Sequence, residues 1–266
     1  MSRLANCFAQ LKTQGKKALI PFITAGDPNP DLTVQIMHTM VKAGANIIEL
    51  GVPFSDPMAD GPVIQKASER ALEHHVSLRN VLAMVQLFRT GDNETPVVLM
   101  GYLNPIEIMG YELFAQEAQK AGVDGVLTVD LPPEEAIDVL PLFIQHNLDP
   151  IFLIAPTTND ERISTICNVA SGFIYYVSVK GITGAGDVDA DDVTSHIEHI
   201  RSKTDLPVGV GFGIKDGDSA KRIGASADAV VVGSALVKII ESHQNEEKML
   251  LNKVESFINE LSTAIS

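Results

Sequence analysis

The chain has 266 residues, a hydrophobic fraction of 45% and a formal net charge of −14 at pH 7. So negative a surface disfavours nucleic acid and anionic membranes, and we expect neither as a partner. The two cysteines are too few for a disulfide framework and lack the spacing of a metal site, so we expect no metal. Apolar runs are short and interrupted by glycine, proline or charge, which predicts a cytoplasmic protein without a membrane span.

Short apolar runs alternate with amphipathic stretches along the whole chain. The runs that predict strands are 18–24, the run around Glu49, 95–100, 123–129, 150–155, 173–177, 207–210 and 227–232. The stretches that predict helices are 2–14, 31–43, 63–75, 78–90, 110–121, 134–146, 159–170, 193–202, 215–223, a helix opening at Gly233-Ser234, and 246–262. Residues 101–105 and 178–192 have neither pattern and are predicted to be loops.

Eight strand runs, each followed by a helix, restrict the possible folds. The runs are rich in Val, Ile and Leu, as in parallel sheets buried on both faces. An open sheet that binds dinucleotides would carry a glycine fingerprint in its first strand–helix turn, and residues 25–28 lack it. We therefore predict an α/β fold, a single (β/α)8 TIM barrel domain over residues 1–266 with an extra N-terminal helix.

A glutamate interrupts the second apolar run. Because side chains alternate along a strand, Glu49 shares a face with Ile47 and lies opposite Ile48 and Leu50. Burying an unpaired carboxylate is costly unless it is protonated or hydrogen-bonded. Asp60 follows in a turn that leads into a helix, and two carboxyls at one strand end can take different protonation states and catalytic roles. The alternative is a salt-bridged acid on an edge strand.

Glycine lies where barrels of this kind hold phosphate, after strands seven and eight. Gly213 follows strand seven, and Gly233 with Ser234 follows strand eight at the start of a helix. Backbone N–H groups and the helix dipole attract a phosphate there. Gly184 belongs to the 178–192 loop, whose glycines suit a mobile lid and whose N–H groups can also reach the phosphate. The alternative is that these glycines only permit turns.

Apolar side chains at strand ends predict a pocket above the core. The pocket candidates are Phe22, Met100, Leu127, Leu153 and Phe212. Ordinary packing of the barrel interior is the alternative for each of them. Tyr175 and Tyr176 adjoin on strand six, so one faces the interior and the other faces the helices, and alternation alone does not decide which.

Four segments resemble the tryptophan synthase α subunit family: PFITAGDP near the start, IELGVPFSDPMADG at 48–61, the VKGITG loop and the closing VVVGSALV. The resemblance extends over essentially the whole chain. It implies a lyase of tryptophan biosynthesis that cleaves indole-3-glycerol phosphate, by a retro-aldol reaction, to indole and glyceraldehyde 3-phosphate. It implies no cofactor in this subunit, and an α2β2 heterotetramer in which only the β subunit carries pyridoxal phosphate.

The resemblance also assigns roles to residues. Glu49 is the general acid and base, Asp60 accepts the indole N–H, and Tyr175 faces the substrate. The residues implied to pack the indole are Phe22, Met100, Leu127, Thr183 and Phe212. The residues implied to hold the phosphate are Gly184, Gly213, Gly233 and Ser234. The residues implied to face the β subunit are Pro53, Phe54, Asp56, Asn104 and Pro132. Some relatives carry an arginine near Val179, which this chain lacks.

Two other functions share part of this pattern. A barrel similar to phosphoribosyl-anthranilate isomerase would share the glycine sites, but it would not need Glu49 and Asp60 around the PFSDP segment. A non-catalytic activator of a partner enzyme would keep the partner loops and tolerate the loss of Glu49. Both acids are present, which favours the lyase.

Overall fold

The computed structural model describes residues 2–177, 190–211 and 213–266, with the backbone alone at residues 190 and 191. In this part of the chain, eight parallel strands close into a barrel in chain order, and the first strand pairs with the eighth. The strands are β1 Ala18–Thr24, β2 Ile48–Gly51, β3 Val97–Gly101, β4 Gly125–Thr128, β5 Asp149–Ile154, β6 Ile174–Val177, β7 Val208–Gly211 and β8 Ala229–Val232. The predicted TIM barrel with an extra N-terminal helix is confirmed.

Helices precede and connect the strands. They are α1 Arg3–Thr13, α2 Pro30–Lys42, α3 Pro62–Glu73, α4 Leu78–Phe88, α5 Leu103–Met109, α6 Tyr111–Ala121, α7 Leu140–Gln145, α8 Asp160–Val169, α9 Ala190–Arg201, α10 Gly217–Gly224, α11 Ser234–Ser242 and α12 Glu247–Ala264. A 3-10 turn lies at Ala136–Asp138. None of the helices in the described residues combines the length and the apolar character that crossing a membrane requires.

Short sequence signals set the helix ends. The Ser77 side chain accepts the Asn80 N–H at the start of α4, and the Asn80 side chain accepts the Ser77 N–H in return. This reciprocal capping satisfies N–H groups that the first turn of a helix leaves open. Gly122 ends α6 with a left-handed backbone that glycine adopts without steric cost.

Two predicted connections were wrong. Residues 101–105 were expected to be a loop, but α5 begins at Leu103, because Pro105 lies in the first turn of the helix, where its missing N–H is not needed. Residues 134–146 were expected to be one helix. The chain instead forms the 3-10 turn and then α7, because Pro141 lacks an N–H and its ring collides with the Ile137 carbonyl of a continuous helix.

Side chains alternate between the barrel interior and the layer beneath the helices. On β2 and just before it, Ile47 belongs to the interior cluster, whereas Ile48 and Leu50 pack in the outer layer. On β6, Tyr175 packs on the interior cluster and Tyr176 lies in the outer layer. The interior cluster also contains two side chains of α1, which therefore closes the amino-terminal end of the barrel.

A buried carboxylate fastens that closed end. Asp124, just before β4, accepts hydrogen bonds from Arg3 Nη1 at 2.9 Å, from Arg89 Nη2 at 2.8 Å and from the Val97 N–H at 2.8 Å. Arg89 also donates to the Gly122 carbonyl oxygen. The carboxylate thus joins α1, the end of α4 and the start of β3 at one point.

Replacing Asp124 by Ala is expected to lower the free energy of unfolding by about 3 kcal/mol, because the buried Arg89 guanidinium loses its counter-ion. Urea unfolding measures the change. The control is Glu117→Ala, which removes an exposed ion pair with Lys120 and should cost less than about 1 kcal/mol. Equal losses in the two variants would contradict a structural role for Asp124.

Candidate active site

Glu49 lies inside the barrel on β2, level with Phe22 of β1 and Val98 of β3. Its side chain is 1% exposed, and neither carboxyl oxygen has a hydrogen-bond partner among the described residues. Burial, with a smaller contribution from the negative charge of Asp60, raises the pKa of Glu49 to about 8. A carboxyl with such a pKa can both give and take a proton near neutral pH.

Asp60 lies in the loop between β2 and α3 and is held by a tyrosine. The Tyr102 hydroxyl donates to Asp60 Oδ2 at 3.1 Å and accepts the Ala59 N–H at 3.0 Å. Burial raises the pKa of Asp60, and the Tyr102 hydrogen bond acts in the opposite direction. The two carboxyls of the site therefore differ, since Asp60 has a hydrogen-bond donor and Glu49 has none in the described part of the chain.

Tyr102 is a site residue that sequence reasoning missed. Its ring stacks on Phe54 with 5.1 Å between the ring centroids, and the next N–H along the chain, that of Leu103, donates to Asp130 Oδ1 at 2.8 Å. Tyr102 and Leu103 together therefore connect the segments that follow β2, β3 and β4. Its position directly after β3, at the catalytic end of a barrel strand, was the one signal that the sequence offered.

Tyr175 faces the barrel interior, packed on the interior cluster. A Cβ atom on Gly211 would overlap the Tyr175 hydroxyl oxygen, so the glycine at this place leaves room for the phenol. Burial, together with the nearby charges of Glu49 and Asp60, raises the pKa of Tyr175 well above its ordinary value. The hydroxyl therefore remains protonated and keeps a hydrogen to donate.

A cavity opens beside Asp60 at the carboxyl end of the strands. Its lining includes apolar side chains from β1, from α3 and from the ends of β3 and β4, namely Phe22, Ile64, Met100 and Val129. The lining also includes Thr24, whose buried hydroxyl oxygen has no hydrogen-bond partner among the described residues. Leu127 is fully buried in the interior cluster and does not line this cavity, so its contact with a substrate remains a prediction.

The start of α11 adjoins the same cavity. Gly233 precedes the helix, and a Cβ atom there would lie 3.7 Å from the Phe22 side chain. No side chain caps this end of the helix in the described structure. The backbone N–H groups of the first turn, starting at Ser234, therefore lack a side-chain acceptor and lie at the positive end of the helix dipole. Gly213 is exposed and has φ +74°, a conformation that favours glycine.

Several predicted residues lie outside the description. Thr183, Gly184 and Phe212 are outside the described residues, as is most of the 178–192 loop. Within residues 2–177, 190–211 and 213–266, no group of three or more His, Cys, Asp or Glu side chains is arranged to hold a metal ion.

The residues predicted to face a partner differ in exposure. Asp56 and Asn104 are exposed, while Phe54 and Pro132 are half-buried. Pro53 was expected on an exposed loop but is buried. It lies only two residues beyond Gly51, the last residue of β2, and β2 is buried on both faces.

The loops at this end also expose apolar side chains that the sequence analysis did not single out. Met58 is 82% exposed after β2, Ile108 80% exposed after β3, and Ile137 73% exposed after β4. Met58 lies in the loop after β2, Ile108 in α5 and Ile137 in the 3-10 turn, so the three side chains belong to successive strand–helix connections.

Comparison with known proteins identifies the family. The chain matches the family model described as tryptophan synthase alpha chain over residues 8–266. It is 62% identical over 265 residues to the tryptophan synthase alpha chain of Thioalkalivibrio sulfidiphilus, with 100% of each chain covered. The chain belongs to the tryptophan synthase alpha chain family.

Further relatives agree with this assignment. The tryptophan synthase alpha chain of Marinobacter nauticus is 59% identical, with 100% of this chain and 98% of that chain covered. The crystal structure of tryptophan synthase subunit alpha from Legionella pneumophila has a TM-score of 0.93 at 46% identity, with 100% and 98% covered. The family role is that of the alpha subunit in tryptophan biosynthesis, and the chain is a lyase.

Replacing Glu49 by Gln should change how the stability of this alpha chain depends on pH. The folded carboxyl keeps its proton up to about pH 8, whereas in the unfolded chain it loses it near its ordinary pKa of 4.5. Because the folded state binds more protons between these values, Glu49 makes wild-type stability fall as pH rises.

The Glu49→Gln variant lacks this dependence, so its stability advantage over wild type should grow from about pH 4.5 to about pH 8. Urea unfolding at a series of pH values measures the difference. Glu161→Gln, on the exposed face of α8, serves as the control. A stability difference that stays constant across this range would show that Glu49 titrates normally.

Replacing Tyr102 by Phe should raise the pKa of Asp60, because the lost hydroxyl group donates to the ionised carboxylate. Carbon-13 NMR titration of the aspartate carboxyls, with Asp60 assigned by the loss of its signal in Asp60→Asn, measures the pKa. Tyr111→Phe, at the start of α6, is the control. An unchanged Asp60 pKa would mean that the hydrogen bond does not act on the carboxylate.

Proposed function

We propose that this site cleaves indole-3-glycerol phosphate to indole and glyceraldehyde 3-phosphate, with Glu49 as the proton-transfer group. The observation that carries the proposal is the pairing of a buried carboxyl of pKa about 8, without a hydrogen-bond donor in the described residues, with a second carboxyl that has one. Proton transfer near neutral pH needs the first kind of group, and charge stabilisation needs the second.

The retro-aldol step moves one proton to carbon and one from oxygen. Glu49 in its protonated form gives its proton to the ring carbon that bears the glycerol chain. Asp60 accepts the indole N–H and stabilises the positive charge that this creates on the ring. Glu49, now ionised, takes the proton of the adjacent glycerol hydroxyl. The carbon–carbon bond then breaks, its electron pair returns to the ring, and indole and the aldehyde result without water or an external oxidant.

Tyr175 supports this step from the opposite side of the barrel. Its hydroxyl stays protonated beside the two acids, so it can orient the substrate without competing for the proton that Glu49 moves. Phe22 and Met100 supply the apolar walls for the indole ring. Leu127, Thr183 and Phe212 complete the proposed indole contacts.

The phosphate group is assigned to the open start of α11. Support comes from the helix end without a side-chain cap, whose N–H donors lie next to Phe22, a residue that lines the cavity together with Asp60. Gly233, Ser234 and Gly213 are the proposed phosphate ligands within the described residues, and Gly184 is a further one. A local site of this kind allows a chain of net charge −14 to bind an anion.

A β subunit is the proposed partner, in an α2β2 heterotetramer that receives the indole. Pyridoxal phosphate is assigned to that subunit alone, since the step derived for this chain needs only acid–base groups. Support for the interface comes from exposed Met58, Ile108 and Ile137 beside Asp56 and Asn104. The proposed compartment is the cytoplasm, where the biosynthetic role would place it.

Replacing Glu49 by Gln should lower turnover by a factor on the order of 10²–10⁴, because the amide cannot transfer the proton. Indole release from indole-3-glycerol phosphate is measured with and without a β subunit. Circular dichroism and β-subunit binding should match wild type, and Glu161→Gln should keep full turnover. A Glu49→Gln variant with wild-type turnover would refute the mechanism, and no indole from wild type would refute the substrate.

A further inference from the structure

The half-buried guanidinium of Arg70 joins three elements around the site. Arg70, on α3, has a side chain that is 15% exposed. Its Nε and Nη2 atoms donate to the two carboxylate oxygens of Asp27 at 2.7 and 2.9 Å. Its Nη1 atom donates to Glu241 Oε1, on α11, at 3.1 Å. Asp27 itself is fully buried in the loop after β1.

Two of these elements, α3 and α11, lie at opposite ends of the proposed substrate site, and the third, the loop after β1, adjoins the cavity between them. α3 begins two residues after Asp60, the group assigned to the indole N–H. α11 begins at Ser234, which is assigned to the phosphate. The loop with Asp27 follows Thr24 in the cavity lining, and the Asp27 N–H donates to the Thr24 carbonyl oxygen at 3.1 Å.

A small apolar cluster holds the same two helices at the cavity itself. Phe22 of β1 packs there with Ala67 of α3 and Val237 of α11. The helices therefore meet at two places: this apolar contact and the Arg70 ion pairs. The Arg70–Glu241 ion pair thus adds a polar contact to the apolar packing of α3 on α11, one turn further along both helices.

The contact with Glu241 is not required to offset the buried charge of Arg70. Asp27 already neutralises the guanidinium through two short, parallel hydrogen bonds, which is the preferred geometry for an arginine–carboxylate pair. What Glu241 adds is a link from this pair to α11. An arginine can make this third contact because its five N–H donors project in a rigid fork.

We propose that Arg70 and Glu241 are positioning residues that set the separation between the phosphate end of the site at Ser234 and the indole end at Asp60. The inference rests on the proposed phosphate site. A ligand that spans both ends depends on their separation, whereas a fragment that occupies one end does not.

The test compares one spanning ligand with two fragments. Glu241→Ala removes the link to α11 while leaving Asp27 and Arg70 paired. We expect kcat/KM for indole-3-glycerol phosphate to fall about tenfold. The dissociation constants of glycerol 3-phosphate alone and of indole alone, measured by NMR titration of the full chain, should stay within about twofold of wild type. A loss of folding would weaken all three ligands together.

Two further variants complete the series. Glu241→Gln keeps a carbonyl oxygen that accepts the Arg70 N–H, and it should recover kcat/KM to within about threefold of wild type. Glu255→Ala removes an exposed ion pair with Lys42 that also joins two helices. It should change neither kcat/KM for indole-3-glycerol phosphate nor the dissociation constants of the two fragments. Arg70 variants leave Asp27 buried and unpaired, so Glu241 carries the test if they do not fold.

Two results would overturn the inference: kcat/KM within twofold of wild type in Glu241→Ala, or fragments weakened as much as the spanning ligand. The proposed phosphate site is tested separately, by measuring the affinity of the Ser234→Asp variant for glycerol 3-phosphate. A carboxylate there should repel glycerol 3-phosphate, and wild-type affinity in that variant would remove the site on which the inference rests.

Discussion

The proposed chemistry depends on one acid, Glu49, whose carboxyl receives no hydrogen bond from the described residues of the barrel interior. The carboxyl of Glu49 is enclosed by apolar strands, and its pKa is about 8 because the charged form is poorly solvated there. Asp60 adds to the effect by its negative charge, while its own ionised form is stabilised by Tyr102. The difference between the two carboxyls is therefore one of surroundings, and it lets one serve as a proton donor while the other serves as a counter-charge.

Tyr102 places that counter-charge within a larger assembly. Its hydroxyl contacts the loop after β2 and its ring contacts Phe54, which also belongs to that loop. The same stretch begins α5, which exposes Ile108. A partner that covers the segments after β2 and β3 would thus lie against the segment whose Tyr102 donates a hydrogen bond to Asp60. The proposed partner surface and the proposed catalytic geometry therefore share the same few residues.

The barrel was predictable from sequence because strand and helix patterns are local. Eight short apolar runs, each followed by an amphipathic stretch, sufficed for the fold class. Alternation along one strand placed Glu49 on the same face as Ile47, but it left open whether the acid was buried or salt-bridged on an edge strand. The effect of proline was harder to predict, since Pro105 is tolerated in a first turn while Pro141 divides a helix. The contacts of Tyr102 with Asp60 and of Arg70 with Glu241 join residues 42 and 171 positions apart. No local pattern encodes such contacts, so these partners could not be predicted from the sequence.

The closed end of the barrel has a consequence for the order of assembly. Leu4 and Phe8 of α1 sit in the interior cluster, and the Phe8 ring lies 5.8 Å from that of Phe173, just before β6. During synthesis α1 leaves the ribosome long before β6 has been made. The Phe173 ring against which Phe8 packs is therefore absent at that stage. The contact between Phe8 and Phe173 can therefore form only after the later strands have been made. A helix that is synthesised early thus completes its packing only after strands that are synthesised later have formed.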